Sequence, residues 1–454
     1  MTKFGQREVH WSGATPEDHK VLKNIIADYF AYRLSTFPKL KKLCEDSPDF
    51  AMAHIFKGYL LTSMGTQGTI PAATKAADRA ADCPEGLTEN EKGHLKALRA
   101  WIEGNSTDAC NYWDDIIIDD PQDLLAIKLQ HFSLFWLGRP DHMRDVIARV
   151  KPKWDKTMEG YPTLMGMESF ALEEMGQYQE AEKIGRLAVE MDPNDLWAIH
   201  AVAHVYEMQS NLDAGMEWLN QPVDKWQDRN PFREHLWWHT ALFAYEKGHY
   251  DKVLDLYDSS IWPDTSNFYL DIQNAASILI RLEFAGVDVG KRWLSLSEAA
   301  QERVGDHVLL FTEPHYTMAF GSVGDSAQIE KQISSLNTFA SENLKKREGK
   351  VASELAVPIC MAVDAFFRQD YKTARDLLWP LRYDYQPIGG SHAQRDVFNL
   401  LLIESAVCME DYKMARALLM ERSARHKNSF STQTKLDHVN AALNLSQPGV
   451  GLNA

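Results

Sequence analysis

A two-residue break, then tyrosine, then alanine three residues later recurs along this chain, and it constrains the fold more than any other feature. Gly176-Gln177-Tyr178 leads to Ala181, Gln369-Asp370-Tyr371 to Ala374, and Glu410-Asp411-Tyr412 to Ala415; Gly248-His249-Tyr250 repeats the break. Each break separates two stretches whose apolar residues return at helical spacing, so each reads as the turn of a helix hairpin. Ala181 and Ala188 supply small residues where paired helices touch, and Met191-Asp192-Pro193-Asn194 closes the unit that opens at Tyr161. Upstream, Gly104, Ala109 and Asp119-Asp120-Pro121-Gln122-Asp123 follow the same frame. Pro121 and Pro193 lie 72 residues apart, close to twice a period of about 34.

That period, with small residues at the helix contacts and a proline near the end, is the tetratricopeptide (TPR) pattern. The expected class is all-α, a TPR-like α-solenoid of antiparallel helix pairs. Strand signals are almost absent, since no alternating run is bounded by Asn-Gly or Asp-Gly. Helix starts are marked at Thr15-Pro16-Glu17-Asp18, at Ser47-Pro48-Asp49 and by the capping box Thr88-x-x-Glu91. Between about Pro263 and Glu354 the frame is lost, and Gly305-Asp306, Glu313-Pro314 and Gly321 to Asp325 suggest looser turns. The expected organisation is an arm over 1–19, TPR-like repeats over 20–262, an irregular helical insertion over 263–354, further repeats over 355–446 and a tail over 447–454.

Charge removes several function classes. Lys plus Arg number 48 against 64 acids, a net charge of −16, which repels phosphate backbones. The basic runs Lys39 to Lys42 and Lys345 to Lys350 are short and read as solvated helix faces, so no nucleic-acid partner is expected. No apolar run approaches the roughly 18 residues of a membrane span, and Met1 to Thr15 has no apolar stretch of a secretory signal. Five cysteines without a C-x-x-C suit a reducing compartment. A cytoplasmic protein without a membrane partner is the expectation. Neither G-x-G-x-x-G, nor a phosphate loop, nor G-x-S-x-G occurs, so no nucleotide or other organic cofactor is expected.

The chemistry concentrates in histidines. Residues four apart share a helix face, so His200 and His204 are neighbours, with Glu207 one turn on; His235 and His239 form a second pair on the next first helix of a repeat. The repeat frame puts Trp197, His200, His204 and Glu207 on the concave, ligand-facing side, with His239 one position beside that stripe. Imidazoles suit acid–base catalysis without a metal, and this is the favoured reading. The alternative is zinc or another divalent cation on His200, His204, His235 and His239, although no H-E-x-x-H is present. Two further segments carry polar residues. Phe311-Thr312-Glu313-Pro314-His315 sets an acid two residues before a histidine. Gly389-Gly390-Ser391-His392-Ala393-Gln394-Arg395-Asp396 sets two glycines before a helix start, where backbone N–H groups and Arg395 can hold an anion.

Together these segments resemble the tetratricopeptide repeat protein 38 family and its bacterial members. The matching text is His200-Ala-Val-Ala-His204-Val-Tyr-Glu207-Met208, His235-Leu-Trp-Trp-His239 through Gly248, Glu313-Pro-His315-Tyr-Thr-Met-Ala319, and Gly389 to Phe398. The likeness runs from about residue 20 to 440, and the last motif is the most specific because generic TPR units lack it. Glu313 stands where the family pattern has Asp, and His392 where Asn is also at home. The resemblance implies a TPR solenoid and carries no catalytic assignment.

The expected site therefore draws on four parts of the chain. His204 and His239 act as acid–base groups, with His315 as a third, oriented by Glu313. Arg395 anchors a carboxylate or enolate-like oxygen, and Asp396 orients Arg395 or a histidine. Trp197 and Trp238 form walls, and His200, Glu207, His235 and His392 complete the lining. The expected ligand is a small molecule, and the reaction class is a lyase, hydratase or hydrolase without an organic cofactor. The competing reading is a scaffold for a peptide or protein partner, and a homo-oligomer is compatible with either reading. A TPR clamp for acidic C-terminal peptides would carry Lys, Arg and Asn where this chain has Trp197, His200, His204, Glu207 and Met208.

Overall fold

The computed structural model describes residues 2–4, 7–220, 226–229 and 232–445. The tail expected over 447–454 lies outside the described residues. A short antiparallel hairpin, β1 (Thr2–Phe4) with β2 (Arg7–Val9), precedes the helices. The rest is an all-α, TPR-like succession of antiparallel helix pairs. It divides into two compact units, one of Met1–Val205 with Pro222–Arg233 and the other of Tyr206–Gln221 with Glu234–Ala454.

The first unit contains α1 (Pro16–Phe30) with α2 (Thr36–Asp46), α3 (Ala51–Thr62) with α4 (Ile70–Ala81), and α5 (Glu89–Ile102) with α6 (Ser106–Asp119). It continues with α7 (Leu124–Trp136) and α8 (Pro140–Val150), α9 (Tyr161–Glu174) and α10 (Tyr178–Met191), and most of α11 (Leu196–Met208). The caps at Thr15 and Thr88 form as expected, each with its reciprocal acid, Asp18 and Glu91. Ser47-Pro48-Asp49 does not start a helix: α3 begins at Ala51. Pro48 instead lends its carbonyl to His54 Nε2 at 3.0 Å and Arg79 Nε at 3.0 Å, and Ser47 donates its hydroxyl to Asp18.

Small residues let α10 and α11 press onto α9. A Cβ on Gly185 would lie 2.5 Å from Ser169 Oγ and 2.6 Å from Val202 Cγ2. Ser169 Oγ donates to the Ala181 carbonyl at 2.7 Å, and Ala181 and Ala188 are buried in a core with Met165, Leu172 and Val205. This close approach seats Phe170 and Glu173 of α9 against the histidines of α11.

The second unit takes the last turn of α11, then α12 (Leu212–Trp218), nearly all of α13 (Phe232–Glu246) and α14 (Tyr250–Leu256). It continues with α15 (Tyr269–Phe284), α16 (Arg292–Gln301), α17 (Glu313–Ser322), α18 (Ser326–Glu342) and α19 (Arg347–Val351). The remaining helices are α20 (Val357–Phe367), α21 (Tyr371–Leu378), α22 (His392–Cys408), α23 (Tyr412–Arg425) and α24 (Phe430–Ala442). The irregular insertion expected over 263–354 is mostly regular: α15 pairs with α16 and α17 with α18. Left-handed turn residues mark the hairpins there as elsewhere, at Gly286 and Gly324 (φ +79° and +74°), matching Gly176 and Gly248 (φ +74° and +75°). Irregular backbone remains at Arg347–Ala356, where α19 runs into a π turn, and before α17, where His307 is left-handed (φ +47°) and Leu310–Thr312 forms a 3-10 turn.

All five thiols are free, four of them buried. None of the described helices is long and apolar enough to cross a membrane.

Candidate functional site

In the first unit, α11 turns Trp197, His200 and His204 toward α9. Asp195 starts this helix, its Oδ1 accepting from the N–H groups of Trp197 (2.9 Å) and Ala198 (3.1 Å). Phe170 stacks on His200 (centroids 5.3 Å apart, 29°) and meets His204 edge-on. The two imidazoles face each other, Nε2 to Nε2, at 3.0 Å. At that distance one nitrogen carries the proton and the other the lone pair. Glu173 Oε2 lies 3.6 Å from His204 Nδ1. Glu173, Glu174 and His204 each place one ligating atom within 4.8 Å of the others.

In the second unit, the last turn of α11 holds Glu207 against α13, and Glu207 Oε2 lies 2.8 Å from His239 Nδ1. One turn earlier on α13, His235 Nδ1 lies 2.9 Å from Asn274 Oδ1 of α15. Trp238 stacks on His235, with 5.1 Å between centroids and 12° between planes. The rings of His235 and His239 are 4.8 Å apart and nearly perpendicular. Arg281 of α15 lies over Trp238 at 5.9 Å and donates to the carbonyls of Ser277 and Ala393, both at 3.0 Å, which ties α15 to the start of α22.

Behind this pair lies a buried charge network. Arg422 of α23 donates to Asp396 Oδ2 at 2.8 Å and to Glu246 Oε1 at 2.7 Å, and His426 Nε2 lies 3.8 Å from Asp396 Oδ1. Burial opposes every charge here. Arg422 nevertheless stays above its ordinary value because Asp396 and Glu246 face it, and both carboxyls are held below theirs, chiefly by Arg422. Glu207 faces His239 instead of a guanidinium. Burial pushes its carboxyl up to about 8, only partly opposed by His426 and Arg281. Burial also pushes His239 down to about 3, and His235 likewise, the latter with a contribution from His239.

The histidine pairs are thus buried, not displayed on an open concave face: His204 and His239 are both 0% exposed. Most apolar residues around them on α11 and α13 are buried as well. Glu313 does not orient His315. Residues two apart on a helix point away from each other, and both lie within α17. Glu313 faces His307 Nδ1 at 3.0 Å and Gln332 Nε2 at 3.1 Å, while His315 Nδ1 lies 3.0 Å from the Phe311 carbonyl. Arg395 turns its guanidinium back onto the Gly390 carbonyl and lies 3.3 Å from His392, which is exposed. Asp396 faces Arg422, with His426 Nε2 3.8 Å away, and not Arg395.

Glu173, Asn274, Arg281, Arg422 and His426 were not singled out from the sequence. Arg281 had a legible signal, a cation inside the apolar run Ile278-Leu279-Ile280-Arg281-Leu282; Glu173 had another, an acid in an apolar helix. The other three sit in ordinary polar context.

No family model matches the chain. Solved structures that match over most of its length include yeast Tom70 (11% identity over 94% of this chain and 88% of that one, TM-score 0.35). Others are a human IFIT1 dimer with m7Gppp-AAAA (15%, 78% and 87%, TM-score 0.33) and Naa15/Naa10 bound to HypK-THB (10%, 96% and 69%, TM-score 0.25).

Proposed function

We propose that this chain is a TPR-type protein, akin to the tetratricopeptide repeat protein 38 family, that binds a small hydroxyl-bearing molecule at His235 and His239. There it transfers protons in an addition or elimination without an organic cofactor. The observation that carries this reading is the 2.8 Å contact between Glu207 and His239. Glu207 raised to about 8 and His239 lowered to about 3 mean that the pair together holds one more proton at pH 7 than a carboxylate beside a neutral imidazole. Wherever that proton sits along the Oε2–Nδ1 contact, Nε2 of His239 bears hydrogen, so the pair is an acid below about pH 8 and a base above it. His235 is the complement: Asn274 accepts from its Nδ1, which leaves the lone pair on Nε2. One donor and one acceptor side by side suit a hydroxyl or a water. A thermal-shift screen of polar metabolites tests the reading. A hit should raise the melting temperature of the wild type and lose that effect in Glu207→Gln and His239→Gln; equal shifts in all three would refute it.

A second reading, metal-assisted hydrolysis or lysis, is favoured by one observation in the first unit, the grouping of His204, Glu173 and Glu174. The anchored Nδ1 atoms of His235 and His239 also match the way ligating imidazoles are held. Under this reading the purified chain carries a stoichiometric divalent cation that His204→Ala removes.

A further inference from the structure

Helix α7 is almost wholly apolar, Leu124-Leu-Ala-Ile-Lys-Leu-Gln-His-Phe-Ser-Leu-Phe-Trp136, yet it buries Lys128 at 3% exposure. Its Nζ makes no hydrogen bond among the described residues. It lies 4.2 Å from the centre of the Trp197 ring and 5.3 Å from that of Tyr32, and Phe232 stacks on Tyr32 at 4.6 Å. One turn along the same face, both ring nitrogens of His131 lack a hydrogen-bond partner among the described residues, and His131 meets Trp197 edge-on. Asp195 spends Oδ1 on starting α11, while its Oδ2 is buried and makes no hydrogen bond among the described residues.

A cavity of about 190 Å³ reaches this cluster at Asp195. Its walls include Leu124, one turn before Lys128, Ala31, next to Tyr32, and Asp195 itself. Glu159, which pairs with Lys23, and Asp192 also line it, so its lining carries three carboxyls and no lysine or arginine. That excess of acid disfavours a carboxylate or phosphate ligand and admits an uncharged one.

We propose that Lys128 is a nucleophilic amine that captures a small uncharged aldehyde or ketone from this cavity as an imine. The Nζ lone pair forms a bond to the carbonyl carbon, and the C=O electron pair moves to oxygen. A proton passes from nitrogen to that oxygen, giving a carbinolamine. Asp195 then protonates the hydroxyl, which leaves as water while the nitrogen lone pair closes the C=N bond. Loss of the remaining N–H proton to the Asp195 carboxylate gives the neutral imine and restores the acid. The sum is amine plus carbonyl to imine plus water, with no redox change. The environment suits both roles: burial brings the ammonium down to about 8, against the pull of Asp195, and raises the Asp195 carboxyl to about 6.

Reductive trapping on the full chain tests this. The protein is exposed briefly to propanal, quenched with borohydride and mapped by peptide mass. Lys128 should carry a propyl group at a rate at least about tenfold above the mean of exposed lysines such as Lys41 and Lys42. Lys128→Arg keeps a cation over Trp197 and should lose that label with little change in melting temperature. Pyruvate, which carries the charge the acidic cavity repels, should label Lys128 more slowly than propanal. Folded wild-type protein in which Lys128 reacts no faster than exposed lysines would overturn the proposal, and faster labelling by pyruvate would overturn the assignment to uncharged carbonyls.

Discussion

Glu207 Oε2 and His239 Nδ1 are 2.8 Å apart, and both groups are buried. The carboxyl and the imidazole are both pushed toward neutrality by burial, in opposite directions on the pH scale. A pH-dependent stability follows, with a sign for each arm. Glu207 is raised above its ordinary 4.5, so its contribution is complete below that value and is lost as pH rises toward 8. His235 and His239 are lowered from 6.5, so their contributions are complete above 6.5 and are lost as pH falls toward 3. The melting temperature should therefore peak between these arms, and Glu207→Gln should flatten the alkaline one.

Arg422 bridges Asp396 and Glu246 in the interior of the second unit. Arg422→Met leaves two buried carboxylates without their cation, and the expected loss is about 3–5 kcal/mol. Replacing all three by apolar residues of similar size should recover most of it. Urea unfolding of the two variants measures the difference.

Gly185 is the point at which α10 touches both α9 and α11. Gly185→Ala forces a methyl against Ser169 and Val202, and overpacking of this kind costs about 1–3 kcal/mol. Gain from the better helix propensity of alanine is about 1 kcal/mol at most, so the net should be a lower melting temperature.

Glu313 is placed here as a structural acid for His307 and Gln332. Glu313→Gln should lower stability by about 1–3 kcal/mol and leave the His315 imidazole resonances unmoved with pH. A shift in the His315 titration would return Glu313 to the role expected of it from sequence.

The repeat was legible because it rests on local chemistry: a left-handed turn residue, a small contact residue and a closing proline all show in the chain. Gly286 and Gly324 make the same turns as Gly176, yet the pairs they join lack the tyrosine and alanine that follow at 178 and 181, so two regular hairpins read as an insertion. The histidine pairs were legible for the same local reason, their spacing of four. Their partners were not. Asn274 reaches His235 across 39 residues and Arg422 reaches Glu246 across 176, and no spacing rule spans such distances. Glu313 and His315 were joined by closeness in sequence, which helix geometry undoes.

The most direct test is the protonation of His239 Nε2, read by ¹⁵N NMR of histidine-labelled protein between pH 5 and 9. The account predicts a proton on Nε2 at neutral pH, lost in a single step near pH 8, with that step absent in Glu207→Gln. An Nε2 that carries no proton at pH 7, or one that titrates near 6.5 whether or not Glu207 is present, would contradict it.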